Sequence, residues 1–459
     1  MRGLLVILVA PLLLASSCGS TTPAQSTSTS TSKTTTTTTT VNTTLANWPT
    51  YHRTAGRSGQ VATSPRGPLR LGWRRHLAGA VYGEPLVVGH TLIVATERNY
   101  VYGLDARTGR ELWRDHLGLP QRQNGLPCGN IFPLGITGTP AYDRRTGSVF
   151  VARERNGGQH ALFALDAATG AIRWRRNLDT QVHRNRFAEQ QRSALLVVDN
   201  RVITTFGGLA GDCANYVGYA TSVATNGKGR VHSYAVPTAR EGGMWATPGP
   251  VRGTNGNVYV ASGNGAERRG RWDRSDSVAE LSPVTLRRLS IFAPATWRRD
   301  NAQDLDLGSM SPVVVPAVDR MVIAGKRGVV YLLNPALGGV GSALRSMPGC
   351  VAFGGAAVAG RLVLMPCKGQ TSIRALIVGR SSLRWSWTRK GAYSSPVIAG
   401  RRVYVADQSS GYLKVLRLSD GAVLQSLPVG HLPHFSSQIV SGDWVFVPSL
   451  GGVTAFRGQ

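Results

Sequence analysis

The sequence predicts an all-β chain folded as an eight-bladed β-propeller of four-stranded antiparallel blades. Three observations predict it. From Asn47 onward, short apolar runs broken by Gly, Asn, Asp and Pro dominate, with no long helix-period stretch. A two-strand pattern recurs along the chain. Finally, "VYGLDARTGRELW" (Val101–Trp113) returns nearly unchanged as "LFALDAATGAIRW" (Leu162–Trp174), and self-similarity at such a spacing means stacked units.

The recurring pattern is a small residue or Pro, a short apolar strand, a Gly- or Asn-containing turn, then an alternating apolar strand. It reads "GEPLVVGHTLIVAT", "GTPAYDRRTGSVFVAR", "RSALLVVDNRVITTF", "ATPGPVRGTNGNVYVAS", "MSPVVVPAVDRMVIAG", "GGAAVAGRLVLMP", "SSPVIAGRRVYVAD" and "SSQIVSGDWVFVPS", which makes eight hairpins. Third strands follow most of them, such as "VYGLDA", "VVYLLNP" and "GVTAFRG". Fourth strands often carry Trp, as in "ELWRDH", "IRWRRN" and "LRWSW". Four strands per unit, repeated around a ring, is the arithmetic of a propeller, each blade burying its faces against its neighbours. The last unit ends at "GVTAFRG" without a fourth strand, while "LRLGWRRHL" (Leu69–Leu77) is a fourth strand with nothing before it. The N-terminal strand is therefore expected to complete blade eight and remove an open edge.

The opening motif has a structural explanation. Asp105 and Asp166 begin tight turns, where a carboxylate accepts backbone N–H groups. Gly109 and Gly170 take positive φ there without steric cost. Trp113 and Trp174 are large apolar plates suited to packing between blades.

The ends carry other signals. Met1 and Arg2 precede a short apolar run from Leu4 to Leu14, followed by "LASSC" ending at Cys18. This is a secretory pattern too short to span a bilayer. It resembles a lipoprotein signal, in which the Cys becomes the lipid-modified first residue, although Ala15 stands where such signals usually carry Leu. Residues 1–18 read as the signal and residues 19–46 as a Ser/Thr-rich tether, with an unbroken Thr run at Thr34–Thr40. The tether has no apolar surface to offset the entropy of folding. The expected location is the outer face of the cell membrane, held by lipidated Cys18.

Net charge is +28, nearly all from Arg. The arginines are scattered, often at turns (Arg107, Arg110, Arg144, Arg145, Arg401, Arg402), rather than lined up on one stripe, so they read as a solvated surface. An exported chain with no nucleic-acid-binding motif is not expected to bind nucleic acid. Cys128, Cys213, Cys350 and Cys367 allow two disulfides in three connectivities. Cys350–Cys367 is the preferred pair, because the stretch between them reads as a hairpin with a Cys at each end. Cys128–Cys213 follows by elimination.

"LDAATGAIRW" and "NWPTYHRTAGRSG" (Asn47–Gly59) resemble the pyrroloquinoline-quinone (PQQ) repeat propellers, and the likeness covers nearly all of residues 47–459. That family includes quinoprotein dehydrogenases, which bind PQQ and calcium, and cofactor-free scaffolds such as the outer-membrane assembly lipoprotein BamB. The resemblance implies a dehydrogenase set here: Glu154 and Asn264 as calcium ligands, Trp245 beneath the quinone, and Asp304 as both calcium ligand and catalytic base, with Asp306 close by. Such chemistry needs a hard cation held by oxygens and a carboxylate base beside the C–H being oxidised. The match is incomplete. Gln303 stands where the family has a Trp, no two Cys are adjacent, and no C-x-x-C-H haem site exists. His431 and His434 in "GHLPHFSS" read as loop histidines rather than a metal pair.

Two functions follow. One is an exported, lipid-anchored propeller that binds a protein, glycan or small-molecule ligand without chemistry. The alternative is a PQQ- and calcium-dependent dehydrogenase of an alcohol or sugar.

Overall fold

The repeated Gly and Trp interlock from one blade to the next. In the computed structural model, which describes residues 45–179, 185–266 and 269–459, Trp113 of blade 1 lies flat against Gly170 of blade 2. A Cβ at Gly170 would stand 2.4 Å from the indole, and this glycine has φ +79°. Trp73 meets Gly109 in the same way, and Trp387 meets Gly421. The Trp73 and Trp387 indoles also donate to Ala106 O (3.1 Å) and Leu418 O (3.0 Å) of the adjoining blades. Asp105 Oδ1 accepts from the backbone N–H of Arg107 and Thr108, and Asp166 Oδ1 from those of Ala168 and Thr169. The motif is thus a joint between neighbours: the turn of one repeat seats the plate of the one before it.

Eight sheets form the ring, as the hairpin count predicts, each built on four antiparallel strands, and three of them carry a short fifth strand. Blades 1 to 7 span residues 86–116, 141–177, 196–235, 251–293, 313–348, 357–390 and 397–428, and blade 8 begins at residue 439. Each runs from the inner strand outward, and apolar clusters fill the spaces between neighbouring blades. Leu69–His76 pairs antiparallel with Gly452–Gly458, from Leu69 opposite Gly458 to His76 opposite Gly452, so the leading strand closes the ring. Both expected disulfides form, Cys128–Cys213 and Cys350–Cys367. Among the described residues no helix is long and apolar enough to cross a membrane. The signal (residues 1–18), Cys18 and residues 19–44 of the tether lie outside the described residues.

One feature has no counterpart in the repeat. Residues 45–61 run around the ring inside it, touching the inner-strand regions of seven blades. Ala46 O accepts from Ser441 of blade 8 and Trp48 bridges Val87 of blade 1. Pro49 O accepts from Tyr142 N of blade 2, and Thr50 reaches Leu195 beside blade 3. Ala55, Ser58 and Gly59 carbonyls accept from Arg252, Val358 and Ile398 of blades 4, 6 and 7. Trp48 and Tyr51 are fully buried. The stretch before the first blade is therefore a plug lining the inside of the ring, and it leaves a pocket of about 460 Å³ between residues 54–60 and blades 4 to 6.

Candidate functional site

Antiparallel pairing brings the start of each inner strand and the end of each second strand to the same rim. Loops of both kinds build the mouth of the channel at that rim. Tyr82, Arg192, Trp245, Phe353, His434 and Phe435 precede inner strands, while Asn264, Lys326 and Lys368 follow second strands. Phe353 and Phe435 stack with centroids 6.0 Å apart, and Trp245 lies 6.2 and 6.3 Å from them. Cys128–Cys213 ties the loop after blade 1 to a loop of blade 3, beside an apolar cluster that Tyr82 joins.

Asn264 and Asp304, matched separately in the sequence, do meet. The Asn264 amide Nδ2 donates to Asp304 Oδ1 at 2.8 Å, and its backbone N–H donates to Asp306 Oδ1 at 2.7 Å. Lys326, which the sequence reading did not single out, sits between the two acids. Its Nζ is 2.7 Å from Asp304 Oδ1 and 2.6 Å from Asp306 Oδ2, and it lies 5.9 Å from the centroid of the Trp245 ring. Burial works against the ammonium, but Asp306 and Asp304 overcome it and hold the Lys326 pKa above its ordinary value.

Glu154 does not join this group. It is 1% exposed, and its Oε2 lies 3.3 Å from Nε2 of His160, its register partner on the adjacent strand. His160 Nδ1 in turn lies 3.2 Å from Asp179. Burial opposes the imidazolium, but the flanking Glu154 and Asp179 push His160 up to about 10. This polar group lies between blades 2 and 3, where the His160 ring meets Phe206 edge-on.

Calcium therefore does not fit the residues assigned to it. Two of the three expected ligands meet, but a lysine ammonium holds the carboxylates, and the third ligand serves a buried histidine. Among the described residues no group of three or more His, Cys, Asp and Glu side chains could hold a metal ion. Trp245, the residue expected beneath a quinone, has the Arg192 guanidinium and the Lys326 ammonium both 5.9 Å from its ring centroid. His434 packs edge-on against Tyr82 and Phe435.

Arg192, Lys326, Lys368, Phe353 and Phe435 are site residues that sequence reasoning missed. A signal existed for the lysines. In a chain whose cations are almost all Arg, Lys326 and Lys368 follow the second strands of two successive blades, in "IAGKRG" and "MPCKGQ".

Comparison with known proteins agrees with this architecture. No curated protein matches the chain. Among solved structures it is similar to the quinohemoprotein alcohol dehydrogenase of Comamonas testosteroni, with TM-score 0.70 and 16% identity over 90% of this chain and 81% of that one. It is also similar to a europium-containing methanol dehydrogenase (TM-score 0.69, 16% identity, 88% and 90% covered). BamB from Moraxella catarrhalis gives TM-score 0.59 and 17% identity over 85% of this chain and all of that one. At such identities the likeness is one of fold. The family model described as outer membrane protein assembly factor BamB matches residues 51–277 and 135–427, and the chain belongs to that family of PQQ-like propellers.

Proposed function

We propose that this chain is an exported, lipid-anchored binding module that carries out no redox chemistry. One observation carries the reading: Lys326 stands between Asp304 and Asp306, where a dehydrogenase would need a divalent cation. A fixed ammonium supplies the charge that holds the two carboxylates together. It is a poor substitute for a Lewis acid, because it has no open coordination position to polarise a quinone carbonyl. Glu154, buried beside His160 and away from Asn264 and Asp304, supports the same reading. Two disulfides support an oxidising compartment outside the cytosol, and the signal-like start ending at Cys18 supports a lipid anchor. The ligand is received at the mouth, where the aromatic rings and the cations gather.

The dehydrogenase reading keeps one specific support, the Asn264–Asp304 contact near Trp245. A single titration decides between the two. Purified protein is mixed with PQQ and calcium, and thermal shift and dye reduction are followed with a panel of alcohols and aldoses. The module reading expects no calcium-dependent shift and no dye reduction. Turnover that requires both cofactors would overturn it.

A further inference from the structure

Arg192 is a buried cation at the mouth of the channel. It is 8% exposed, and its Nη2 is buried with no hydrogen-bond partner. Among the described residues no carboxylate forms an ion pair with it. Of the two groups whose charges act on it, Tyr82 is a phenol, and Glu97 is a buried carboxyl that burial pushes up to about 8. The guanidinium lies 4.9 Å from the Phe435 ring centroid. Lys368 lies 4.4 Å from the same ring and donates to the Gln408 side-chain carbonyl, and among the described residues no acid forms an ion pair with it. Burial, then Arg192, lowers the Lys368 pKa to about 8. His434 adds a third group, its Nε2 buried and without a partner. Burial, then Arg192 and Lys368, pushes His434 down to about 4, so the ring is neutral at pH 7 and its Nε2 can carry a hydrogen to donate.

Behind these groups lies a small cavity of about 10 Å³, lined by Tyr51 of the plug, by Tyr82, Arg192, His434 and Phe435 of the rim, and by Glu84, a carboxyl that burial pushes up to about 8. It has room for about one water molecule. An unpaired buried charge is costly, and two like charges against one aromatic ring add repulsion. Interiors keep such arrangements where a ligand completes them. The aromatic faces beside them give an apolar surface on which the rest of a ligand can lie.

We propose that the mouth of the channel is an oxyanion site in which Arg192 and Lys368, with the His434 imidazole as a neutral donor, take a carboxylate, phosphate or sulfate group of a small ligand lying on Phe435 and Phe353. The proposal rests on the binding-module reading and names the chemistry of what that module binds. Guanidinium suits the task, because its planar fork donates to two oxygens of one group.

The test uses the full propeller in chelator, without PQQ. Thermal shift and isothermal titration are run with inorganic sulfate, inorganic phosphate and benzoate, against chloride at equal ionic strength. A saturable response to at least one oxyanion is expected, with benzoate separating a carboxylate on an aromatic ring from a bare inorganic ion. Affinity should fall at least about tenfold in Arg192→Gln, the loss of one charge-assisted bond, and by a smaller factor in Lys368→Gln. In the absence of anion, Arg192→Gln should melt above the parent, because an uncompensated buried charge has gone. A response no larger than chloride gives, or one unchanged in both variants, would overturn the site. So would an Arg192→Gln variant that melts below the parent, since Arg192 would then be a structural strut. An Arg192→Gln variant that does not fold counts as the same outcome, and Lys368→Gln supplies an independent reading of the anion response. Because the titration contains no quinone or calcium, its failure leaves the module reading standing, and dye reduction in the other experiment leaves this result untouched.

Discussion

Two buried arginines, one in the plug and one at the mouth, show how differently the two regions are built. Arg57 in the plug is 4% exposed and fully engaged. Its Nε donates to Pro250 O at 3.2 Å, Nη1 to Thr50 Oγ1 at 2.6 Å and to Tyr51 O at 3.3 Å, and Nη2 to Leu195 O at 3.0 Å. Arg192 is nearly as buried and has an Nη2 without a partner. The same side chain thus serves as a strut in one place and stands open in the other. Burial alone does not separate structure from function; the count of satisfied donors does.

The largest effect should come from breaking the strut. Arg57→Gln takes the guanidinium donor from the carbonyls of Leu195 and Pro250 and loosens the plug at blades 3 and 4. A loss of about 3–5 kcal/mol is expected, the range for breaking a buried charged network, read from the urea midpoint. A loss under about 1 kcal/mol would mean that the plug is dispensable. The contrast with Arg192→Gln, which is expected to stabilise the free protein, is the sharpest form of the comparison.

The joint between blades comes next. Gly170→Ala puts a Cβ 2.4 Å from Trp113 at a backbone with φ +79°. Overpacking and a left-handed conformation together should cost about 2–3 kcal/mol. Trp113→Ala in the same chain should make the second substitution cheaper, because the clash has gone. A double-mutant cycle with no coupling would show that the pair does not form the joint.

The polar group between blades 2 and 3 predicts a pH dependence. The His160 imidazole has an ordinary pKa of 6.5 and is pushed up to about 10 in the fold, against burial, by Glu154 and Asp179. The proton held on folding therefore stabilises the native state in full below the unfolded value, and that contribution is lost as pH rises through about 10. Melting temperature should decline from pH 7 to pH 10, and His160→Gln should flatten that decline. A variant with the parent's slope would mean that other groups set it.

Much of this architecture was legible in the sequence because blades are local. Two strands, a turn and a Trp lie within one repeat, and an orphan fourth strand near the start implies closure with the last blade. The plug was not legible, since its partners are spread over seven blades and residues 45–61 carry no repeat of their own. Asn264 and Asp304 were found through resemblance, which preserves position along the chain. Glu154 was misdirected for a reason that alternation could have exposed. It shares strand parity with Phe150 and Ala152, and both belong to the cluster between blades 2 and 3. Parity sends its side chain to that interface rather than to the channel. Arg192 was invisible because an open donor is a property of its surroundings, not of its neighbours in sequence.

The smallest effect should fall at the rim, where Lys326 is held by two acids of unequal exposure. The Asp304 side chain is 67% exposed and that of Asp306 9%. Asp306 also accepts from the Asn264 backbone N–H, so it fixes the loop as well as the ammonium. Asp306→Asn should cost about 1–2 kcal/mol, as for other buried hydrogen-bonded groups. Asp304→Asn should cost no more than about 0.5 kcal/mol, since an exposed ion pair contributes little. Thermal melts of the two variants measure the difference. A large effect at Asp304 would assign it a structural role that its exposure does not predict. If dye reduction with PQQ and calcium were found in the parent and lost in Asp304→Asn at unchanged stability, the same carboxylate would be acting as a base. Lys326 would then have to leave it during turnover, and the binding-module reading would fall with it.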